Sequence, residues 1–297
     1  MYKMNHITVL VLLVVILFGS IAVTAKPRNR VPGKNADIYI QLYSVRTDIK
    51  NDFNGTVAGL GKMGYKGIEA ASYSDGKFYD LTPEQFKDKI EQSGMKVLSS
   101  HVGKRLNDDI ASTDWNEIWQ WWDVAIRAHK MAGMKYIVMP SMPKVKTLAE
   151  LKNYCDYYNQ IGEKCNAAGL RFGYHNHSFE FVEIEGEMMY DYMLKNTDPS
   201  KVFFQMDVYW VVRGGQSPVE YFKNYPNRFE ILHLKDHKEL GQSGMVGFDA
   251  IFRNAKEAGV KELVVEVEKY NYTPLESIKM SLDYLLHHPD MKSVSSK

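Results

Sequence analysis
The stretch Ala168–His175, AGLRFGYH, changes character at Gly169. Before it runs a long amphipathic segment; after it come bulky Leu170, cationic Arg171 and an apolar run ending in a histidine. A helix that closes on a left-handed glycine, makes a hydrophobic contact just beyond it and passes straight into a strand has this pattern. The same phrase recurs as MGYKGIE, SGMKVLSS, AGMKYIVM and AGVKELVVE, with glycines at Gly64, Gly94, Gly133 and Gly259. Successive spacings from Gly64 to Gly169 are 30, 39 and 36 residues, the length of one strand–helix unit. The 90 residues between Gly169 and Gly259 hold two more strand candidates, KVFFQMDV and FEILHLKD, and DIYIQLYSV precedes the series. Eight alternating units predict a single closed (β/α)8 barrel, an α/β TIM barrel. An open doubly wound sheet is the alternative, and the first strand lacks the glycine-rich phosphate loop it would carry.

Helices are expected over 82–93, 115–132, 148–168 and 274–287, with Thr82-Pro83 opening the first and Thr147 capping the third. Ahead of the barrel, Lys3, the apolar run Ile7–Phe18 and the small residues Val23 and Ala25 predict a signal peptide over 1–25. Residues 26–36 are expected as a basic linker, 37–290 as the catalytic barrel and 291–297 as a tail. The expected localisation is therefore exported, periplasmic or secreted, with no membrane association after cleavage. Net charge is +1 and no basic run follows the linker, which argues against a nucleic-acid partner. Cys155 and Cys165 fall ten residues apart in one expected helix, too far to pair.

In such a barrel the chemistry lies at the carboxyl ends of the strands. Alternation sends Gln41, Glu69, His101, His175 and His177 inward there. Gln205, Asp207, His233, Lys235, Glu266 and Glu268 share that register, as do Val97 and Ser99 on the third strand. Burying these groups unpartnered would cost several kcal/mol each. One bound cation satisfies carboxylates and imidazoles together, and Mn, Zn, Co or Mg all suit that ligand set.

Four markers in order, YHNHSFEF, QMDVYWVVRGG, ILHLKDH and VVEVEKY, resemble the xylose-isomerase-like barrels of the sugar phosphate isomerase/epimerase family over the whole chain past the linker. The resemblance implies one catalytic divalent metal held by Glu, Asp, His and Glu from strands five to eight. Three of these transfer to Asp207, His233 and Glu266; His175 stands where the first glutamate would be. His175 is then a replacement ligand or a polar neighbour, and Glu180 is the nearest carboxylate able to loop back as a ligand. Glu266 is the expected base, assisted by Lys235 or His175. Lys235 either neutralises an enolate oxygen or pairs with Glu266 or Glu268. His101, His177, Trp210, Gln41, Glu69 and Glu268 are expected to contact substrate.

The function implied is metal-dependent isomerisation or epimerisation of an unphosphorylated sugar or keto-sugar through an enediolate. Loss of the strand-five glutamate shifts weight toward a lyase or dehydratase acting on a keto-sugar or inositol-like substrate. A sugar-binding barrel without turnover is a further alternative. A related nuclease ranks last, because these loops carry too few histidines for several metals.

Overall fold
The computed structural model describes residues 37–107 and 109–294; the expected signal peptide and linker lie outside the described residues. Eight strands, Ile38–Gln41, Gly67–Ala70, Lys96–His101, Tyr136–Met139, Arg171–His175, Val202–Asp207, Ile231–Leu234 and Glu262–Val265, pair in parallel and close into a barrel. Helices Phe53–Met63, Pro83–Gln92, Trp115–Met131, Leu148–Ala167, Phe248–Ala258 and Pro274–His287 cover its outside. All five glycines of the repeated phrase have positive φ, from 75° at Gly133 to 112° at Gly64, so each helix does end on a left-handed residue. The expected caps are present. Thr82 and Gln85 form a reciprocal capping box, and Thr147 accepts from the Glu150 amide.

Two details depart from the expected pattern. A bulge in the pairing of the second and third strands, at Ile68/Glu69, puts Leu98 rather than Val97 into the barrel interior. Ser99 still points inward and donates to Glu69, while Ser100 faces His129 outside. The residues expected as a tail begin with a short helix, Met291–Val294, and Met291 is buried. Cys155 and Cys165 are free, buried thiols, as their spacing requires.

The floor of the barrel is a closed apolar plug of Tyr39, Leu98, Tyr136, Val138, Phe203, Ile231 and Val264. Two inward positions, Gly67 and Gly173, hold no side chain because neighbouring rings fill their space. A Cβ on Gly173 would sit 2.4 Å from the Phe203 ring, and one on Gly67 would sit 2.3 Å from the Lys96 carbonyl oxygen and 2.7 Å from the Tyr39 ring. This plug separates the polar layer at the carboxyl ends from a cluster of ion pairs at the amino ends, where Glu230 meets Arg171 and Lys261 and Glu262 meets Lys135. Gly173→Ala is expected to destabilise the fold by about 1–3 kcal/mol through overpacking; urea unfolding monitored by circular dichroism measures it.

Candidate metal and active site
Glu69, at the end of the second strand, has no exposed surface and draws five donors. Gln41 Nε2 (2.9 Å), Ser99 Oγ (2.6 Å) and Gln205 Nε2 (2.8 Å) donate to it. His233 Nε2 lies 2.7 Å away and His101 Nε2 3.1 Å. Because the Gln205 amide nitrogen is used on Glu69, its oxygen faces His101 Nε2 (2.7 Å) and His175 Nδ1 (3.0 Å). Each of these three imidazoles therefore carries its proton on the nitrogen facing Glu69 or Gln205. The other nitrogen of His175 is left as a lone pair, and that of His233 becomes one once its second proton is lost; both face Asp207.

Those lone pairs meet Asp207 and Glu266. Asp207 ends the sixth strand and caps the helix Val208–Arg213, spending Oδ1 on the Trp210 amide. Its Oδ2 is buried, as is His233 Nδ1, and neither has a hydrogen-bond partner among the described residues. His233 Nδ1 lies 3.9 Å from Asp207 Oδ2 and 3.6 Å from Glu266 Oε2; His175 Nε2 lies 4.0 Å from Asp207 Oδ2. These separations are too long for hydrogen bonds. Ligands bound at roughly 2.1 Å to one cation stand about 3–4.2 Å apart, so the orphaned atoms fit a divalent ion. Ligand atoms of Asp207, His233 and Glu266 all lie within 4.8 Å of one another, and so do those of His101, His175 and His233.

The other expected residues fall into three groups. Glu180 is fully buried, with Oε1 taken by the Tyr174 hydroxyl (2.7 Å) and Oε2 by the His177 amide (2.9 Å). It pins the bend after the fifth strand and is absent from the converging group, which corrects its expected place as a ligand. Gln41 and Glu69 are sealed below the mouth, so their expected contact with substrate is replaced by support of the histidines. At the rim stand His101, His177, Trp210, Lys235 and Glu268. Lys235 Nζ pairs with Glu266 (2.9 Å) and Glu268 (2.8 Å) and lies 5.1 Å above the Trp210 ring. His177 Nδ1 and Trp210 Nε1 are buried without partners among the described residues, ready for hydroxyl groups.

Asn176 was not expected in the site. Its amide accepts from the Asp207 backbone N–H (3.1 Å) and donates to the Asp207 carbonyl (3.3 Å), fixing where that carboxylate stands. Alternation points it away from the barrel axis, so no inward-facing pattern could flag it. Gln205 and Ser99 did lie in the inward register; only their shared contact with Glu69 gives them a role.

Without a cation, protons balance the charge. Burial would depress His233, but Glu69 and Glu266 overcome it and raise its pKa to about 10. Burial lifts Asp207 to about 7 against the pull of Lys235. Burial holds His175 well below the usual imidazole range, so it is neutral. Burial also opposes the charge on Glu266, yet Lys235 and His233 keep its carboxyl well below the usual range.

The xylose isomerase-like TIM barrel model matches residues 57–288, and the chain belongs to that family and is an enzyme. An inosose dehydratase of Geobacillus kaustophilus is 23% identical over 274 residues, spanning 77% of this chain and 86% of its own. The crystal structure of a sugar phosphate isomerase/epimerase from Parabacteroides distasonis is 34% identical, with a TM-score of 0.80 over 87% of this chain and all (100%) of that one. The IOLI protein with a binding zinc atom shares the fold at TM-score 0.65 and 17% identity, over 88% of this chain and 100% of its own.

A cation entering here must displace the protons on His233 and Asp207, so its affinity should rise with pH from about 6 to 8, with proton release. Titration calorimetry of the metal-free protein with Mn²⁺ or Zn²⁺, in buffers of differing ionisation enthalpy, checks the sign. Glu69→Gln should weaken binding by about 10–100-fold, because the His233 tautomer loses its support.

Proposed function
We propose that the protein is a divalent-metal-dependent lyase or dehydratase that removes the proton α to the carbonyl of a keto-sugar or keto-cyclitol and then breaks the β carbon–oxygen bond. The distribution of carboxylates carries this reading. Glu69, Asp207 and Glu180 have no exposed surface, whereas Glu266, beside the converging ligand atoms, is 5% exposed at the mouth. An epimerase working with acids on both faces of the sugar needs a second carboxylate opposite Glu266. His175 stands in that place, neutral and with its lone pair turned toward Asp207.

A bound ion held by Asp207, His233, Glu266 and His175 would supply Lewis-acid polarisation of the substrate carbonyl. Glu266 takes the α proton, and the Lys235 ammonium offsets the negative charge that develops on the carbonyl oxygen. Lys235 is suited to this. Burial would depress its pKa, but Glu266, Asp207 and Glu268 hold it above the ordinary value, so it stays charged. Glu266 then passes the same proton to the departing β oxygen. The C–H and C–O bonds are broken, a C=C bond is formed and water or an alcohol leaves, with no oxidant required. A single base serving both ends makes the elimination syn. His177 and Trp210 present their unpartnered N–H or lone-pair groups to substrate hydroxyls.

Support from relatives is the dehydratase name of the Geobacillus kaustophilus protein. The second reading, isomerisation or epimerisation through the same enediolate, draws on the 34% identity to the Parabacteroides distasonis structure. Proton NMR in D2O over a panel of keto-sugars and inososes separates the two: an unsaturated product supports elimination, an epimer or aldose–ketose pair the second reading. Glu266→Gln should slow α-proton exchange by about 10²–10⁴-fold. His175→Ala should lower metal content, and His175→Glu should retain it. Exchange by Glu266→Gln at the wild-type rate would refute Glu266 as the base.

The export reading of residues 1–25 stands as a proposal beside this one, with the barrel working in the periplasm or outside the cell. Mass spectrometry of protein from its native host should find a chain beginning near Lys26; an intact Met1 in a cytosolic fraction overturns it.

A further inference from the structure
A second cavity, of about 540 Å³, opens at the same face of the barrel between the loops that follow the first and second strands. Tyr43, Phe53 and Tyr79 give it aromatic walls, and Arg46, Lys50 and Ser72 bring polar groups to it. Hydrogen bonds tie its lining to residues of the site. The Tyr43 amide donates to Gln41 Oε1 (3.2 Å), and Gln41 in turn donates to Glu69. On the other side, Arg46 Nη2 reaches the backbone oxygen of Glu268, whose carboxylate pairs with Lys235.

Three features show that the cavity is built rather than incidental. Arg46 is held in place: Nη1 donates to the Tyr43 carbonyl (3.0 Å) and the Tyr270 hydroxyl (2.9 Å), and its guanidinium lies 4.5 Å over the Tyr43 ring. Tyr43 is nonetheless 43% exposed, an aromatic ring fixed by a cation and left open to solvent. The opposite wall is strained: Tyr79 and Asp80 have φ of 51° and 63°, a conformation costly for a side chain as bulky as that of Tyr79. Tyr79 is locked there by the hydrogen bond its oxygen accepts from the Ala71 amide (3.0 Å).

An exposed aromatic face flanked by fixed hydrogen-bonding groups suits a polyhydroxylated ring, whose C–H face stacks and whose hydroxyls bond at the rim. We propose that this cavity is a subsite for a second sugar ring, so that the substrate is a keto-glycoside or keto-disaccharide with its reacting ring over Glu266 and its other ring on Tyr43. The inference rests on the functional reading above and names the substrate class more closely. In the elimination, a ring attached through the β oxygen would leave as an alcohol in place of water.

Calorimetry with unreactive sugars tests it on the Mn²⁺-loaded protein: glucose, glucose 6-phosphate and the glucose disaccharides of each linkage. At least one disaccharide should bind more than tenfold tighter than glucose. Tyr43→Ala should reduce that disaccharide-to-glucose ratio at least fivefold, and Tyr43→Phe should preserve it. Glucose binding with no disaccharide advantage, a ratio unmoved by Tyr43→Ala, or tighter binding of glucose 6-phosphate than of any disaccharide overturns the subsite and leaves the functional reading standing. Binding of no saccharide also overturns the subsite, while the functional reading stands or falls on the keto-sugar NMR assay.

Discussion
A carboxylate removed wholly from water is tolerable only if its neighbours replace the water, and Glu69 shows how much of a site that demand can organise. Left unpaired it would cost several kcal/mol. Five donors from four other strands converge on it instead. Burial opposes its charge, yet His101 and His233 keep its carboxyl well below the usual range. Each donor that turns toward Glu69 must turn something else away. His233 gives up Nε2 and so presents Nδ1 to Asp207 and Glu266; Gln205 gives up its amide nitrogen and so presents oxygen to His175. The lone pairs that suit a cation are thus set by a residue that need not touch it.

The barrel separates this polar layer from an apolar floor. Gly67 and Gly173 omit side chains where Tyr39 and Phe203 need room, and the plug they allow excludes water from below. Charge placed above such a plug is weakly screened, so Lys235, Glu266 and Asp207 act on one another strongly. Burial itself lifts the pKa of Asp207 to about 7, against the pull of Lys235. A carboxylate at the surface would show nothing of the kind.

Replacing a glutamate by His175 changes the charge of the centre more than its shape. An imidazole kept neutral by burial offers one lone pair and no negative charge, so a cation there would keep more of its own charge for the substrate. It also leaves Glu266 without a carboxylate counterpart, and Glu180, the nearest substitute in sequence, is spent on Tyr174 and the His177 backbone. On the proposed reading, one residue on the fifth strand separates a one-base reaction from a two-base one.

Much of this was legible in the chain itself. The five glycine phrases specified helix-to-strand transitions because a left-handed turn without a Cβ is a local requirement, independent of distant contacts. Period-two alternation then aligned Glu69, His175, Asp207, His233 and Glu266 on one face, since side-chain direction in a strand is also local. What alternation could not supply was depth or partner. Whether Glu69 and Gln41 meet substrate or lie sealed beneath the histidines depends on the bulge at Ile68/Glu69 and on the donors four strands contribute. Asn176, pointing away from the axis, acquires its hold on Asp207 only because the sixth strand packs beside the fifth. Glycine turns and strand faces are decided within a few residues; hydrogen-bond partners 164 positions apart, as Glu69 and His233 are, come together only when the barrel closes.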